Sequence, residues 1–229
     1  MPERHTLKHH RETIDMKRTF ATLGLAAVMT FATTPAMAAD YSANIGWNSQ
    51  YFYRGIFQSK SSANAGVDLG AGGFYLGAWG ADVDDGVEID YYGGYNFELG
   101  DFTLGAGGTI YTYTGDFDDT YKEVNLTAGW NWLTFDAAIG TYDNFGDPKQ
   151  DYQFYSLTAA YNGFYGKVGT FQDDFDGSYL EGGYGNTLTV SDTDLFDYTF
   201  TVIYSDKDLA GGDSSDTNFV LSLSKTFDF

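Results

Sequence analysis

The chain has 229 residues, with 12 Lys and Arg against 32 Asp and Glu, no cysteine, and a formal net charge of −20. That balance excludes nucleic acid as a partner, because displacing a polyanion's counterions takes an excess of lysine and arginine. The missing cysteines exclude disulfides, so stability must come from elsewhere.

A leader comes first. Residues 1–15 carry all three histidines and no hydrophobic pattern, and read as an upstream extension. Met16-Lys17-Arg18, the apolar run Phe20 to Phe31 and the small-x-small site Ala36-Met37-Ala38 then follow in the order of a secretory signal peptide, residues 16–38. The apolar run is too short to cross a bilayer as a helix. The expected mature domain, 39–229, holds seven basic and 29 acidic residues, a net charge of −22.

After the signal, apolar residues recur at every second position. In the stretch from Ala63, Ala65, Val67, Leu69 and Ala71 alternate with Asn64, Gly66, Asp68 and Gly70. Successive strand side chains face opposite sides, so such a segment has one apolar and one polar or small face. The pattern predicts twelve strands: Tyr41–Phe57, Ala63–Ala71, Phe74–Val83, Val87–Phe97, Phe102–Tyr113, Tyr121–Trp130, Leu133–Tyr142, Tyr152–Tyr161, Phe164–Phe171, Tyr179–Val190, Leu195–Ser205 and Thr217–Phe229. The phase is ambiguous in Phe74–Val83 and at the start of Tyr152–Tyr161.

Connections alternate in length. Those after even strands are tight: Gly72-Gly73, Glu98 to Asp101, Asn131, Asn162-Gly163 and Ser191 to Asp194. Those after odd strands read as longer, and five of the six are dense in aspartate, from "DVDDG" to "DKDLAGGDSSD". A Gly/Ala-aromatic-Asn triplet recurs at tight ends, Gly94-Tyr95-Asn96, Gly129-Trp130-Asn131 and Ala160-Tyr161-Asn162, as expected for an up-and-down array.

A sheet with one apolar face can bury it on a second sheet, close it around a dry core, or turn it outward into lipid. The soluble form of that choice is a secreted β-sandwich with lectin-like acidic loops. The features taken together favour lipid. An outer-membrane barrel needs about 9–11 residues per tilted strand, an even strand count, short periplasmic turns, long external loops and aromatic girdles. Tyr95, Phe97, Phe102, Trp130, Trp132, Tyr161, Phe164 and Tyr165 bracket the tight turns as a periplasmic girdle; Tyr51, Tyr53, Tyr142 and Tyr204 mark the opposite rim. The expected fold is all-β, a single antiparallel up-and-down transmembrane barrel of about twelve strands. Lys225 falls on the lipid-facing phase, close enough to the end to snorkel.

The stretch "SANIGWNSQYFYRGIFQSKSSANAGVDL", with Tyr51, Arg54, Gly55 and Gln58 in its middle, and the following "GFYLGAWGADVDDGVEIDYYGGYNF" resemble the TorF family of bacterial porin-type proteins. That resemblance implies a Gram-negative outer-membrane location and passage of ions or small solutes. The terminal Phe229 on an alternating last strand resembles the signal read by the barrel-assembly machinery. Outer-membrane lipid and lipopolysaccharide are the remaining expected partners.

With the polar phase inside, the lumen candidates are Arg54, Asp68, Glu88, Asp90, Glu123, Asp136, Lys167, Glu181 and Asp197. Seven acids against two bases predict a cation-leaning path. Inward glycines, among them Gly94, Gly105, Gly107, Gly140, Gly169 and Gly183, are expected to leave that path open. Arg54, the only arginine after the leader, is expected to point inward and bridge two carboxylates with its planar fork. The alternative is a non-conducting surface barrel whose acidic loops bind a partner or divalent cations. "DVDDG" and "DDFDG" lack the full spacing of a calcium loop, and no metal site or cofactor is assigned. A mature chain without histidine or cysteine lacks the usual base or nucleophile of outer-membrane hydrolases, so no catalytic residue is assigned.

Overall fold

The computed structural model describes residues 39–229. The expected extension 1–15 and signal 16–38 lie outside the described residues. Twelve strands follow the predicted order: β1 Asp40–Tyr53, β2 Ile56–Ala71, β3 Phe74–Val83, β4 Gly86–Leu99, β5 Phe102–Tyr113, β6 Tyr121–Trp130, β7 Leu133–Tyr142, β8 Gln150–Tyr161, β9 Phe164–Asp173, β10 Ser178–Val190, β11 Thr193–Ser205 and β12 Asp216–Asp228. Each pairs antiparallel with its sequence neighbours, and β12 returns to β1, closing the barrel.

Alternation decides the faces. Ile45, Val67, Leu76, Tyr91, Ile110, Leu126, Ile139, Leu157, Val168, Leu180, Phe200 and Phe219, one from each strand, are exposed on the outside. Val67 is 58% exposed while its neighbour Asp68 is 7% exposed. A water-soluble monomer rarely shows a contiguous apolar patch beyond about 300–600 Å². A greasy belt running round all twelve strands exceeds that and matches the lipid-facing band of a membrane barrel.

At the end where β1 begins and β12 finishes, here called the terminal end, the turns are tight. Gly72-Gly73 and Asn162-Gly163 have positive φ at both positions, as does Ser191-Asp192. These angles suit two-residue hairpins, whose twist matches that of the strands they join. Exposed rings surround the turns: Phe74 stacks near Tyr95 (4.6 Å between centroids), Phe164 near Tyr184 (4.7 Å) and Phe102 near Trp130 (6.4 Å). Tyr165 leaves this girdle and turns inward to donate to Glu181. Lys225 sends its amine to the Asp194 carbonyl in the last tight turn (2.6 Å), which keeps the charge at the edge of the belt.

The far end departs from expectation. "FQSKSS" is not a loop: it belongs to β2, and β1 ends at Tyr53 with a two-residue turn, Arg54-Gly55. The β3–β4 connection is also just Asp84-Asp85. The long connections are 114–120, 143–149, 174–177 and 206–215, the last carrying a one-turn helix, α1 Lys207–Ala210. Alternating length holds for four of the six far-end connections. The first was misjudged because β2 is polar on both faces there and contains an extra residue, Gln58, between Ser59 (opposite Tyr51) and Phe57 (opposite Phe52).

The β1–β12 seam is hydrogen-bonded only through its terminal half. Ladder pairs run from Ser42–Asp228 to Asn48–Ser222, and the Leu221 amide then donates to the Ser49 hydroxyl (2.9 Å). Among the described residues no ladder pair joins Gln50–Tyr53 to β12, whose upper half stays paired with β11. The far half of the first hairpin thus leaves the wall and folds across the interior.

Candidate functional site: the charged interior

The inward hairpin brings its tip against strands from the opposite side of the barrel. Arg54 occupies the first turn position with φ 48°, and Gly55 the second with φ 83°. A non-glycine residue in the left-handed region costs roughly 1–2 kcal/mol. The contacts of Arg54 offset that cost. Its two terminal nitrogens donate to the two Glu123 oxygens at 2.6 and 2.9 Å, a bidentate fork. Its guanidinium also lies 4.8 Å from the Tyr53 ring centroid and 4.2 Å from that of Phe154 on β8.

Glu123 is held from every side. Tyr152 donates to it at 2.8 Å, Tyr111 at 3.0 Å, Tyr53 at 3.3 Å and Asn125 at 2.9 Å. Arg54 therefore points inward, as expected, but engages one carboxylate rather than two. Glu88 and Asp90 are fully buried elsewhere (0% exposed). Glu88 accepts from Tyr51 at 2.6 Å, while its other oxygen and both Asp90 oxygens have no hydrogen-bond partner. Gly55 completes the closure: its carbonyl accepts from Ser205 on β11 (2.5 Å), and a Cβ there would collide with Tyr179 on β10.

Around this network lies an aromatic fill. Tyr142, Tyr152, Phe154, Phe171, Tyr179, Ile203 and Leu209 form one buried cluster, with Phe52 and Ile56 of the hairpin packed against it. Tyr51, Ala81 and Val83 form a second, against Tyr53 and Trp79. Tyr51 and Tyr142 were expected on the opposite rim; both are buried, because the polar tip reaches an acid, Glu88 in the interior for Tyr51 and Asp118 in the β5–β6 connection for Tyr142. Of that expected rim, Tyr204 is outward and exposed.

The inward glycines do not leave open space. A Cβ at Gly140 would strike the Tyr152 ring, at Gly169 the Tyr179 ring, at Gly183 the Tyr165 ring, and at Gly94 or Gly107 the Tyr75 hydroxyl. Each glycine is a socket for a neighbour's ring. At these five positions a small inward residue marks a large partner, while at Gly105 the neighbour is the Asn96 side chain.

Of the remaining sequence candidates, Asp68, Asp136, Lys167 and Asp197 lie nearer the terminal end, where the interior is polar, and Glu181 lies four residues into β10 from its far end. Asp68 accepts from Tyr92 (2.5 Å) and Asn44 (3.4 Å). Asp136 accepts from Thr127 (2.8 Å) and Ser156 (3.4 Å), and Asp197 from Thr187 (2.5 Å). Glu181 accepts from Tyr165 (2.7 Å). Lys167 is the register partner of Glu181, yet no ion pair within 4.0 Å forms between them. The structure thus brings Arg54 and Glu123 into contact, places Glu88 and Asp90 behind the same hairpin, and leaves Asp68, Asp136, Lys167, Glu181 and Asp197 apart from them.

Sequence reasoning missed the ring network of Tyr53, Tyr111 and Tyr152 on Glu123. The available signal was the ambiguous phase of two strands: Tyr152 and Phe154, like Trp79, are aromatic residues on the inner face. The loop aspartates mainly tie the rim. Asp118 accepts from Tyr121 and Tyr142, both at 2.8 Å, and Asp206 caps α1 through the Asp208 and Leu209 amides. In the β7–β8 connection, Asp143 sits between Lys149 (2.5 Å) and Lys122 (3.0 Å), and these two bonds hold its carboxyl below the usual aspartate range.

A search of curated protein sequences finds no significant match. Among solved structures, the chain is similar to one from a study of in-meso crystallization of membrane proteins (9% identity, 83% of this chain and 84% of that chain, TM-score 0.55). It is more distantly similar to a BenF-like porin from Pseudomonas fluorescens Pf-5 (13% identity, 80% and 58%, TM-score 0.40) and to the outer membrane protein opdK from Pseudomonas aeruginosa (14% identity, 75% and 58%, TM-score 0.39). The chain spans 58% of the length of each of these two. A family model described as a bacterial protein of unknown function (Gcw_chp) matches residues 32–227, and the chain belongs to that family.

Proposed function

We propose that this chain is an outer-membrane porin-type channel of the TorF kind, passing ions or small solutes with a preference for cations. The observation that carries the reading is the opposition of faces: a closed twelve-stranded ladder with an apolar belt outside and Asp68, Asp136, Glu181 and Asp197 on the polar phase inside. A ladder closed from β1 to β12 through the terminal half leaves no open sheet edge there, as a bilayer demands. Those four acids with Lys167 form the lower, wetter part of the path, and Glu88, Asp90, Arg54 and Glu123 its narrow upper part. Net negative charge along such a path favours cations. Residues 16–38 act as the export signal, Phe229 as the contact for the assembly machinery, and the acidic rim meets lipopolysaccharide.

A second reading has its own support. The aromatic fill of the far half suits a non-conducting barrel that presents its acidic connections to a partner or to divalent ions. Planar-bilayer recording in a salt gradient separates the two. The channel reading expects discrete steps and a reversal potential displaced toward that of the cation. Anion preference contradicts the charge assignment, and an absence of steps favours the second reading.

A further inference from the structure

We infer that the β1–β2 hairpin is a gate, and that the Arg54–Glu123 ion pair is its latch. The inference rests on the channel reading above and adds to it the regulation of the upper path.

Three independent features point to a moving part. The far half of the hairpin is free of the wall's ladder on both flanks, because the β1 ladder to β12 stops at Asn48–Ser222 and the β2 ladder to β3 stops at Asn64–Ala81. Its tip crosses to β6, where Arg54 meets Glu123, and to β11, where Ser205 donates to the Gly55 carbonyl. The turn itself holds an arginine at φ 48°, a position where two-residue hairpins favour Asn or Gly.

The chemistry of the latch is polar where the rest of a barrel core could be apolar. Arg54 is 11% exposed and Glu123 0% exposed in side-chain surface, and a pair this dry stays put only while both partners are present. Beneath the tip, Asp90 and one Glu88 oxygen carry no hydrogen-bond partner, so closing the hairpin strips water from polar groups that gain no bond in return, which opposes closure. Latch and load are therefore set against each other, as a two-state element requires. Swinging the tip outward about Ser49 and Ser61, where the Ser61 φ is 64°, would carry Phe52 and Ile56 out of the interior and open the far mouth.

The native chain has no cysteine, so a single introduced thiol reports cleanly. Ile203→Cys puts one beneath the hairpin, at a position 5% exposed. Its rate of reaction with a membrane-impermeant maleimide is compared in the parent, Glu123→Gln and Arg54→Lys backgrounds, alongside single-channel recording. Glu123→Gln should raise both the labelling rate and the open probability by about tenfold or more, with Arg54→Lys between it and the parent. Faster labelling without current retains the gate and rejects the channel. Equal labelling rates in barrels that keep their heat-modifiable mobility overturn the gate, whether or not current flows.

Discussion

Arg54 and Glu123 lie 69 positions apart in sequence and meet through two hydrogen bonds of 2.6 and 2.9 Å inside the barrel. Arg54 is the charged member of the contacts that hold the first hairpin inside the barrel, beside the Tyr53 bond to the same carboxylate and the Ser205 bond to Gly55. Replacing Arg54 with alanine leaves Glu123 buried and uncompensated, a loss of about 3 kcal/mol for a pair of this dryness. The loss should be local. Amide exchange in Gln50–Ser61 is expected to quicken about a hundredfold, while β6–β10, paired on both flanks, keeps its protection. Uniform acceleration across the barrel would show the pair to be global support instead.

The glycine sockets predict opposite outcomes for one substitution at two sites. Gly169→Ala drives a methyl into the Tyr179 ring and should destabilise by about 1–3 kcal/mol. Gly166→Ala, three residues away, meets nothing within 4 Å and should be close to neutral. Unboiled and boiled gel mobility against temperature measures both.

Asp90 is fully buried with both oxygens unpartnered. Asp90→Asn keeps the shape and removes a group whose ionised form cannot be solvated there, so it should be neutral or stabilise by up to about 1 kcal/mol. Glu88→Gln, which weakens the 2.6 Å bond from Tyr51, should stabilise less. A lower melting temperature for Asp90→Asn would mean that the aspartate has a compensating partner.

The β7–β8 connection is tied by Asp143 between Lys149 and Lys122. The Asp143 carboxyl is depressed below its ordinary value of 3.8, and the Lys149 amine is raised above 10.5. A depressed acid contributes in full above its unfolded value and is lost as pH falls through the folded one. A raised amine contributes below its unfolded value and is lost as pH rises through the folded one. The tie should therefore be constant from about pH 5 to 9 and fail below 4. Side-chain NMR of Lys149 across that range checks it; release near neutral pH would contradict the pairing.

Most of the wall was legible in the sequence, because a period of two with turn residues between strands leaves little choice of boundary: β3 and β5–β7 begin and end at the expected residues. The interior was less so. Tyrosine reads as apolar in an alternation count, yet Tyr51, Tyr111 and Tyr152 face inward because their hydroxyls reach Glu88 or Glu123, two of these contacts, from Tyr51 and Tyr152, joining strands that are not sequence neighbours. The Arg54-Gly55 turn was hidden for a related reason: two-residue hairpins prefer Asn or Gly at the first position, and only the distant carboxylate explains an arginine there. Arg54 reaches the interior because the whole hairpin tip folds inward, and neither that fold nor the identity of its partner was legible in strand phase.

The central claim is that neighbouring residues on one strand face lipid and interior. A fluorophore attached through cysteine at Val67 or at Asp68, in protein reconstituted in bilayers, tests it with a lipid-resident and an aqueous quencher. Strong quenching from the lipid at 67 with little at 68 is the predicted result. Aqueous quenching at 67, or lipid quenching at 68, would contradict it.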